Sequence, residues 1–493
     1  MEENKVKRIK TTLDGLPFGE QIDRPLTGRE LRQMKLPEGV THGMFFTDIV
    51  RIAWPSFLEL LLTQLTSMAD QMMVGNLPGE LGVQALSAVG ITILPKFLMM
   101  TMVSALNVGS TAVAARFRGM GDRDRINEVL RQSLVLNVIL SILFMGVGLL
   151  LAPHLMRMMG GAGLSDEAFG FAVTYFRIQM YGFVPLCLTF TVTALLRGIG
   201  DTKNPFYYNT MANVINVVFN YLLIFGHFGF PRMEVAGASL ATVIGQTSAF
   251  LVAMWLILDK KRYLHLDVRT KFRFDPVIVK NIVRIGVPSM IEQLIMRLGI
   301  ILYNRTVTNL GDIAYATHQI CSNIQTMSFM VGQAFANAAT TLMGQSLGRR
   351  RYDAAMQYAR HTEVVGVIVS VFLGFGLIFF GKNVVWLYNQ SPEIVSMGGQ
   401  LLIMVGVIQP LQALQFILTG ALRGAGDTKF TAFSMLVTVL VLRGGLAVLL
   451  VTYLKMGLIG AWYAMVADQV VRDLMIILYF RSGRWSRIRL KEG

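Results

Sequence analysis

The chain has little charge for its size: Asp, Glu, Lys and Arg make up 15% of its 493 residues, against 53% hydrophobic. A soluble protein of this length would need far more charge to cover its surface. Cysteine is nearly absent. Cys187 and Cys321 both fall inside apolar runs, which argues against a disulfide framework or a thiolate metal site. There is no Cys/His cluster and no nucleophile elbow. One string, Gly376–Asn383, approaches a phosphate loop, but it has Asn where Ser or Thr should hold magnesium, and it ends an apolar run. An ATPase or a membrane hydrolase is therefore disfavoured. No enzymatic chemistry and no cofactor are expected, and an ion gradient is the natural power source. No cleavable signal is visible either. Met1–Thr47 is polar and mixed in charge and reads as a cytoplasmic tail, most simply an unstructured arm.

What the chain has is length of apolar run. A membrane span needs about 20 apolar residues. Twelve runs meet that need, at 49–74, 86–115, 132–152, 172–195, 206–226, 235–258, 282–309, 314–345, 362–381, 399–421, 431–454 and 458–480. The fold class is thus all-α and polytopic, with twelve transmembrane helices. Basic residues collect in alternate loops: Arg116–Arg131, Lys260–Arg273, Arg349–Arg351 and Arg481–Arg489. The loops Asn76–Ala85 and Gly311–Ala314 hold none. By the positive-inside rule both termini and the central loop are cytoplasmic. The net charge of +15 is then topology and attraction to anionic lipid rather than a nucleic-acid footprint, because it is spread over many loops.

The runs come in two sets of six. Leu196-Arg-Gly-Ile-Gly-Asp-Thr-Lys203 returns as Leu422-Arg-Gly-Ala-Gly-Asp-Thr-Lys429. Ile52-Ala-Trp-Pro-Ser returns as Ile285-Gly-Val-Pro-Ser, and each is followed by an acid four residues after its proline, Glu59 and Glu292. Asn107 and Thr111 match Asn337 and Thr341. The expected division is a tail at 1–47, six-helix lobes at 48–258 and 281–480, a cytoplasmic linker at 259–280 and a basic tail at 481–493. Parallel copies in a hydrophobic chain point to a transporter with its site between the halves.

Polar residues inside the spans mark candidate sites, because an acid in hydrocarbon costs about 2.5–3.5 kcal/mol on insertion scales and is functional by default. Glu59, Thr63, Thr66 and Asp70 share a helical face in the first span. Asp70 is the leading candidate for ion coupling; a helix-end acid near the interface is the plainer reading. Asn209, Asn213, Asn216 and Asn220 recur along one face of the fifth span, as a wall of a wet cavity, a support for an acid, or interhelical glue. Lys96 in the second span either neutralises Asp70 or Glu59 or snorkels outward. The second half adds Glu292, Gln293, Arg297 and Arg305, then Gln319 and Asn323, Gln412, Arg443, and Asp468, Arg472 and Asp473. Glu292 is an expected cross-helix partner for Arg297 or Arg443, and Asp468 pairs with Arg472 within one helix. Among many methionines, Met68 and its neighbours suit either packing or a pocket for varied ligands.

Ala69-Asp-Gln-Met-Met-Val-Gly75, Arg197-Gly-Ile-Gly-Asp-Thr-Lys203 and Asn216-Val-Val-Phe-Asn220-Tyr-Leu-Leu-Ile-Phe-Gly226, on a tandem six-plus-six frame, resemble the multidrug and toxic compound extrusion (MATE) family of the MOP flippase superfamily. The resemblance runs from about Phe46 to Phe480. It implies an inverted V of two lobes, a monomer, and efflux of organic, often cationic, drug-like compounds in exchange for Na⁺ or H⁺. It maps the family's first-span acid onto Asp70, with Asn216, Asn220 and Glu59 near it. A second acid of the fifth span in some prokaryotic members falls on Asn220, which is not an acid here. The arginines Arg297, Arg305 and Arg443 fit a purely cation-binding lobe poorly. They keep a rival open: a flippase or exporter of lipid-linked or anionic cargo in the same superfamily. Pairing of those arginines with Glu292, Asp468 and Asp473 would weaken the rival, and unpaired arginines in a wide cavity would strengthen it. A bacterial inner-membrane location is expected.

Overall fold

The structure is a computed structural model and describes residues 13–20, 26–35, 40–78, 80–160, 165–267, 269 and 272–488. The first residues of the tail, Lys271 and Arg489 lie outside the described residues. Each of the twelve apolar runs forms a long helix. The first six are α1 His42–Gly75, α2 Glu80–Met120, α3 Arg123–Gly160, α4 Asp166–Tyr181 continuing as Phe183–Gly198, α5 Lys203–Phe225 and α6 Glu234–Leu258. The second six are α7 Pro276–Thr308, α8 Asp312–Gly348, α9 Tyr352–Tyr388, α10 Pro392–Ala425, α11 Lys429–Tyr453 and α12 Gly457–Arg481. Seven of them are apolar enough on their own to cross a membrane, or eight with α4, which bends by 50° at Gly182. The four that fall short are α1, α5, α8 and α12, the helices that carry the acid, Asn, Gln and Arg stripes. A polar stripe lowers the mean hydropathy of a span without removing it from the bundle, provided the stripe faces inward.

The duplicated string explains how two turns are built alike. Gly200 and Gly426 have φ of +89° and +85°, a backbone that glycine alone adopts freely. In the first copy Gly200 N–H donates to Arg197 O and Asp201 N–H to Leu196 O; in the second Gly426 N–H donates to Arg423 O and Asp427 N–H to Leu422 O. These are the two bonds of a Schellman cap, which satisfies the last carbonyls of α4 and α10 and turns the chain into the next helix. Thr202 and Thr428, one residue after each Asp, then donate to Arg51 O and Ile285 O at the start of the first helix of their own half.

The halves meet through small residues. A Cβ on Gly109 of α2 would lie 2.2 Å from Ile282 O of α7, and one on Gly286 of α7 would lie 2.7 Å from Ala105 O of α2. Further along, Gly119 faces Gln345 O and Gly348 faces Arg116 O, bringing α2 and α8 backbone to backbone. Close approach of this kind is how helices associate where no hydrophobic drive separates protein from lipid. All these contacts lie toward one end of the bundle, at the C-terminal ends of α2 and α8 and the N-terminal end of α7. Thr341 and Gln345 of α8 also donate to Arg197 O and Gly198 O, so the second half holds the first half's cap directly.

The tail departs from the unstructured arm expected of it. Leu13 and Leu16 are 3% and 4% exposed. They pack among Phe45 and Ile49 of α1, Leu342 of α8 and Tyr358 of α9. Leu13 N–H and Tyr358 O–H both donate to the Asp48 carboxylate, at 3.2 and 2.6 Å. Arg349 donates to Leu16 O, and Gly19 N–H donates to Arg349 O. Gly28 N–H reaches Ser482 O, past the end of α12. Apolar residues spaced through a polar segment supplied the contacts that composition alone concealed.

Candidate functional site

Two polar assemblies sit in the bundle, one in each half. In the first half α1 and α5 run parallel with their polar faces in register. Asn209 donates to Glu59 Oε1 at 2.6 Å, and Asn220, three helical turns on, donates to Asp70. Asn216, its amide turned so that nitrogen faces the acid, donates to Asp70 at 2.8 Å and accepts from the Thr242 hydroxyl at 3.3 Å. Asp70 is thus held by two neutral amides and, among the described residues, by no cation. Asn220 Oδ1 is buried without a partner and stands beside the carboxylate as a spare acceptor.

Glu59 belongs elsewhere. Along the same helix it is about 16 Å from Asp70 at 1.5 Å per residue, and it pairs with Arg197 of α4 at 2.8 Å. Grouping Glu59 with Asp70, Asn216 and Asn220 is corrected accordingly. Lys96 meets neither acid. Its ammonium lies 2.5 Å from Gln179 Oε1, because α2 presents it to α4 rather than to α1. Thr63 and Thr66 turn their hydroxyls back onto the carbonyls of Glu59 and Leu62.

In the second half a cavity of about 620 Å³ opens between α7, α8, α10, α11 and α12, with α2 and α4 closing it from the other half. Of the residues expected in a substrate cavity it takes Glu292, Gln293, Arg297, Gln319, Gln412 and Arg443. Met68 and Asn323 instead line a smaller space of about 270 Å³ between α1 and α8. Asn209, Asn213 and Lys96 line neither cavity; Asn209 is turned to Glu59 of α1 and Lys96 to Gln179 of α4, inside the first half.

The expected partner of Glu292 is also corrected. Its Oε1 accepts from Arg423 of α10 at 2.7 Å and its Oε2 from Thr431 at 2.9 Å, so it holds neither Arg297 nor Arg443. Arg443 donates through Nε and Nη2 to Asp468 of α12, at 2.8 and 2.5 Å. Arg472, four residues from Asp468, is only 3.9 Å away, so the within-helix pair is the weaker of the two. Arg443 ends a π-helical stretch, Leu436–Arg443, and widened turns of this kind recur where a side chain must be aimed at a site. Arg297 lies with its guanidinium 3.6 Å over the Phe97 ring of α2. Arg305 is exposed and outside the cavity.

Sequence reasoning missed the roles of Arg197 and Arg423. Each is the Arg of the duplicated Leu-Arg-Gly, and each pairs with the Glu four residues after the repeated Pro. The same ion pair therefore ties the first helix of each half to its fourth, Glu59–Arg197 and Glu292–Arg423, at 2.8 and 2.7 Å. The signal was present: two strings repeated together define a contact repeated together.

Twelve helices in two repeated halves around a polar cavity are the architecture of a multi-pass membrane transporter. The MatE family model matches residues 55–222 and 288–449, one segment in each half, and the chain belongs to that family. It is 26% identical over 453 residues to "Probable multidrug resistance protein NorM" of Thermotoga maritima, covering 90% of this chain and 95% of the relative. It is 27% identical to "Uncharacterized transporter YisQ" of Bacillus subtilis, covering 92% and 96%. Among solved structures it resembles an outward-facing multidrug resistance MATE transporter of the MOP superfamily, with a TM-score of 0.82 at 24% identity, over 93% of this chain and all of that one. A MOP superfamily transporter from Pyrococcus furiosus, described by the reverse polarity of its binding pocket, gives a TM-score of 0.81 at 23% identity, over 91% and 98%.

Proposed function

We propose that this chain is an ion-coupled exporter of organic compounds, working as a monomer by alternating access in a bacterial inner membrane. In this reading the lobes are 48–258 and 281–480, with tails and linker cytoplasmic. The observation that carries it is Asp70: a carboxylate inside the bundle, held by Asn216 and Asn220 and facing no cation among the described residues, in one half, with a cargo-sized cavity in the other. Protonation, or Na⁺ shared with the spare Asn220 oxygen, removes the negative charge and changes what those two amides bind. The α1–α5 register then shifts, and α1 contacts α8 of the other half. Each ion moving inward down 100 mV supplies about 2.3 kcal/mol, which is enough to bias a two-state carrier strongly.

In the orientation read from the positive-inside pattern, the glycine-packed end faces the cytoplasm. The structure then corresponds to a state closed inward. Ethidium or norfloxacin efflux from drug-hypersensitive cells, under imposed pH and Na⁺ gradients, tests the reading. Wild type should extrude drug with one gradient and not the other, and Asp70→Asn should not. Equal extrusion by both proteins would remove Asp70 from the coupling role.

A further inference from the structure

We propose that the second-half cavity receives the acidic group of an amphiphilic organic anion, with Arg297 as its receptor. The proposal rests on the exporter reading above and names its cargo class.

The charge inventory of the cavity carries the argument. Among the described residues five guanidinium groups line it, those of Arg197, Arg297, Arg423, Arg443 and Arg472, against one carboxylate, Glu292. Both oxygens of Glu292 are occupied, by Arg423 and Thr431. Two further carboxylates neutralise cavity arginines from behind the wall: Glu59 holds Arg197, and Asp468 holds Arg443. A cationic ligand therefore meets no unspent carboxylate in this space. Arg297 is different. Among the described residues no carboxylate lies within ion-pair distance of it, and it makes no hydrogen bond. It rests flat on Phe97, 3.6 Å from the ring centroid.

That arrangement suits an anion receptor. The ring supports one face of the guanidinium and fixes its plane, while the N–H groups in that plane keep the forked geometry that matches carboxylate, sulfonate or phosphate oxygens. Half-buried at the cavity wall, the cation is in a setting where its pull on an anion is stronger than in bulk water. Gln293, one turn earlier on α7, offers a neutral donor beside it, and Phe190, Phe329 and Phe416 offer flat apolar wall for the rest of the ligand. Position adds meaning. Arg297 belongs to α7 and Phe97 to α2, so the stack bridges the two halves. An anion that draws the guanidinium off the ring would loosen that bridge, which couples cargo binding to movement of the halves.

The test uses full-length protein and two probes, carboxyfluorescein as the anion and ethidium as the cation. Binding is read by fluorescence anisotropy in detergent, and transport in proteoliposomes. Wild type should bind carboxyfluorescein. Arg297→Gln should weaken that binding by roughly tenfold to a hundredfold, the range expected for a charge-assisted hydrogen bond. Arg297→Lys, which keeps charge without the fork, should fall between, and Arg305→Gln, outside the cavity, should match wild type. Carboxyfluorescein affinity that is absent in wild type, or unchanged in a monodisperse Arg297→Gln protein, overturns the proposal. Ethidium moved with no anion bound leaves the exporter reading standing and sinks this one. Anion bound through Arg297 but moved under no gradient does the reverse. Competition by farnesyl phosphate identifies the source of the anion: displacement at lower concentration than free carboxyfluorescein points to a lipid phosphate, and weaker displacement to a soluble organic anion.

Discussion

The repeated Glu–Arg pair makes a quantitative prediction. Glu292 is 5% exposed and Arg423 20% at the side chain, with 2.7 Å between them. Two unit charges at about 4 Å in an effective dielectric near 20 attract by about 4 kcal/mol. Arg423 is partly exposed at the cavity wall, which screens the pair, so the coupling expected is about 2 kcal/mol. Neutral interhelical hydrogen bonds in membranes average about 0.6 kcal/mol and reach about 1.7 at most. The two cases are therefore separable. Glu292→Gln alone should cost about 3 kcal/mol or more, because it strands a buried guanidinium. Arg423→Met strands a carboxylate that keeps its Thr431 bond, so it should cost less. The double variant should cost little more than the worse single one. Unfolding of all four proteins in mixed micelles with rising SDS gives the cycle. Glu59→Gln with Arg197→Met, at 2.8 Å and 7% and 21% exposure, should give a similar coupling. A coupling at or below about 0.6 kcal/mol in both halves would reduce these pairs to ordinary polar contacts and refute the reasoning.

Three further outcomes are expected. Asn220→Leu removes a donor to Asp70 worth about 1.5–3 kcal/mol for a charged acceptor, so the ion concentration needed for half-maximal efflux should shift tenfold or more; an unmoved value would detach Asn220 from the ion site. Leu13→Asp with Leu16→Asp removes two buried leucines, worth about 1.5–3 kcal/mol each, from the seam between α1 and α8. Thiol labelling of Ser346→Cys, fully buried in this state, should then quicken from the cytoplasmic side, and an unchanged rate would make the tail irrelevant to closure. Gly109→Ala puts a Cβ 2.2 Å from Ile282 O and should cost about 1–3 kcal/mol in the micelle assay, whereas Gly146→Ala, with nothing within 4 Å, should be neutral or better; equal effects would deny the close approach of the halves.

The twelve helices were legible because a membrane span is long and chemically uniform. Even α1, α5, α8 and α12 kept enough apolar length to be found despite their polar stripes. The pairing of Asp70 with the Asn face of α5 was partly legible, since both faces repeat at helical spacing. What sequence could not supply was the direction of each partner. Lys96 turned to Gln179, and Glu292 to Arg423, because these choices depend on how helices far apart in sequence are rotated against each other. The π-helical turns that aim Arg443 leave no mark in composition. Nor does the tail's place, which depends on a seam formed by α1, α8 and α9 together.

The caps and the Glu–Arg brace survive in both halves, but the Asp70 position does not. Counting from Pro55 and Pro288, the place of Asp70 in the first half falls on Tyr303 in the second. Tyr303 lines the cavity, with the Arg443 guanidinium 5.7 Å from its ring centroid. The two copies have kept a common skeleton while dividing the labour, with a carboxylate in one and an aromatic wall in the other. Under the proposed function, duplication then yields one coupling carboxylate of this kind per molecule rather than two. In that reading the number of coupling carboxylates traces to this single divergent pair, Asp70 and Tyr303.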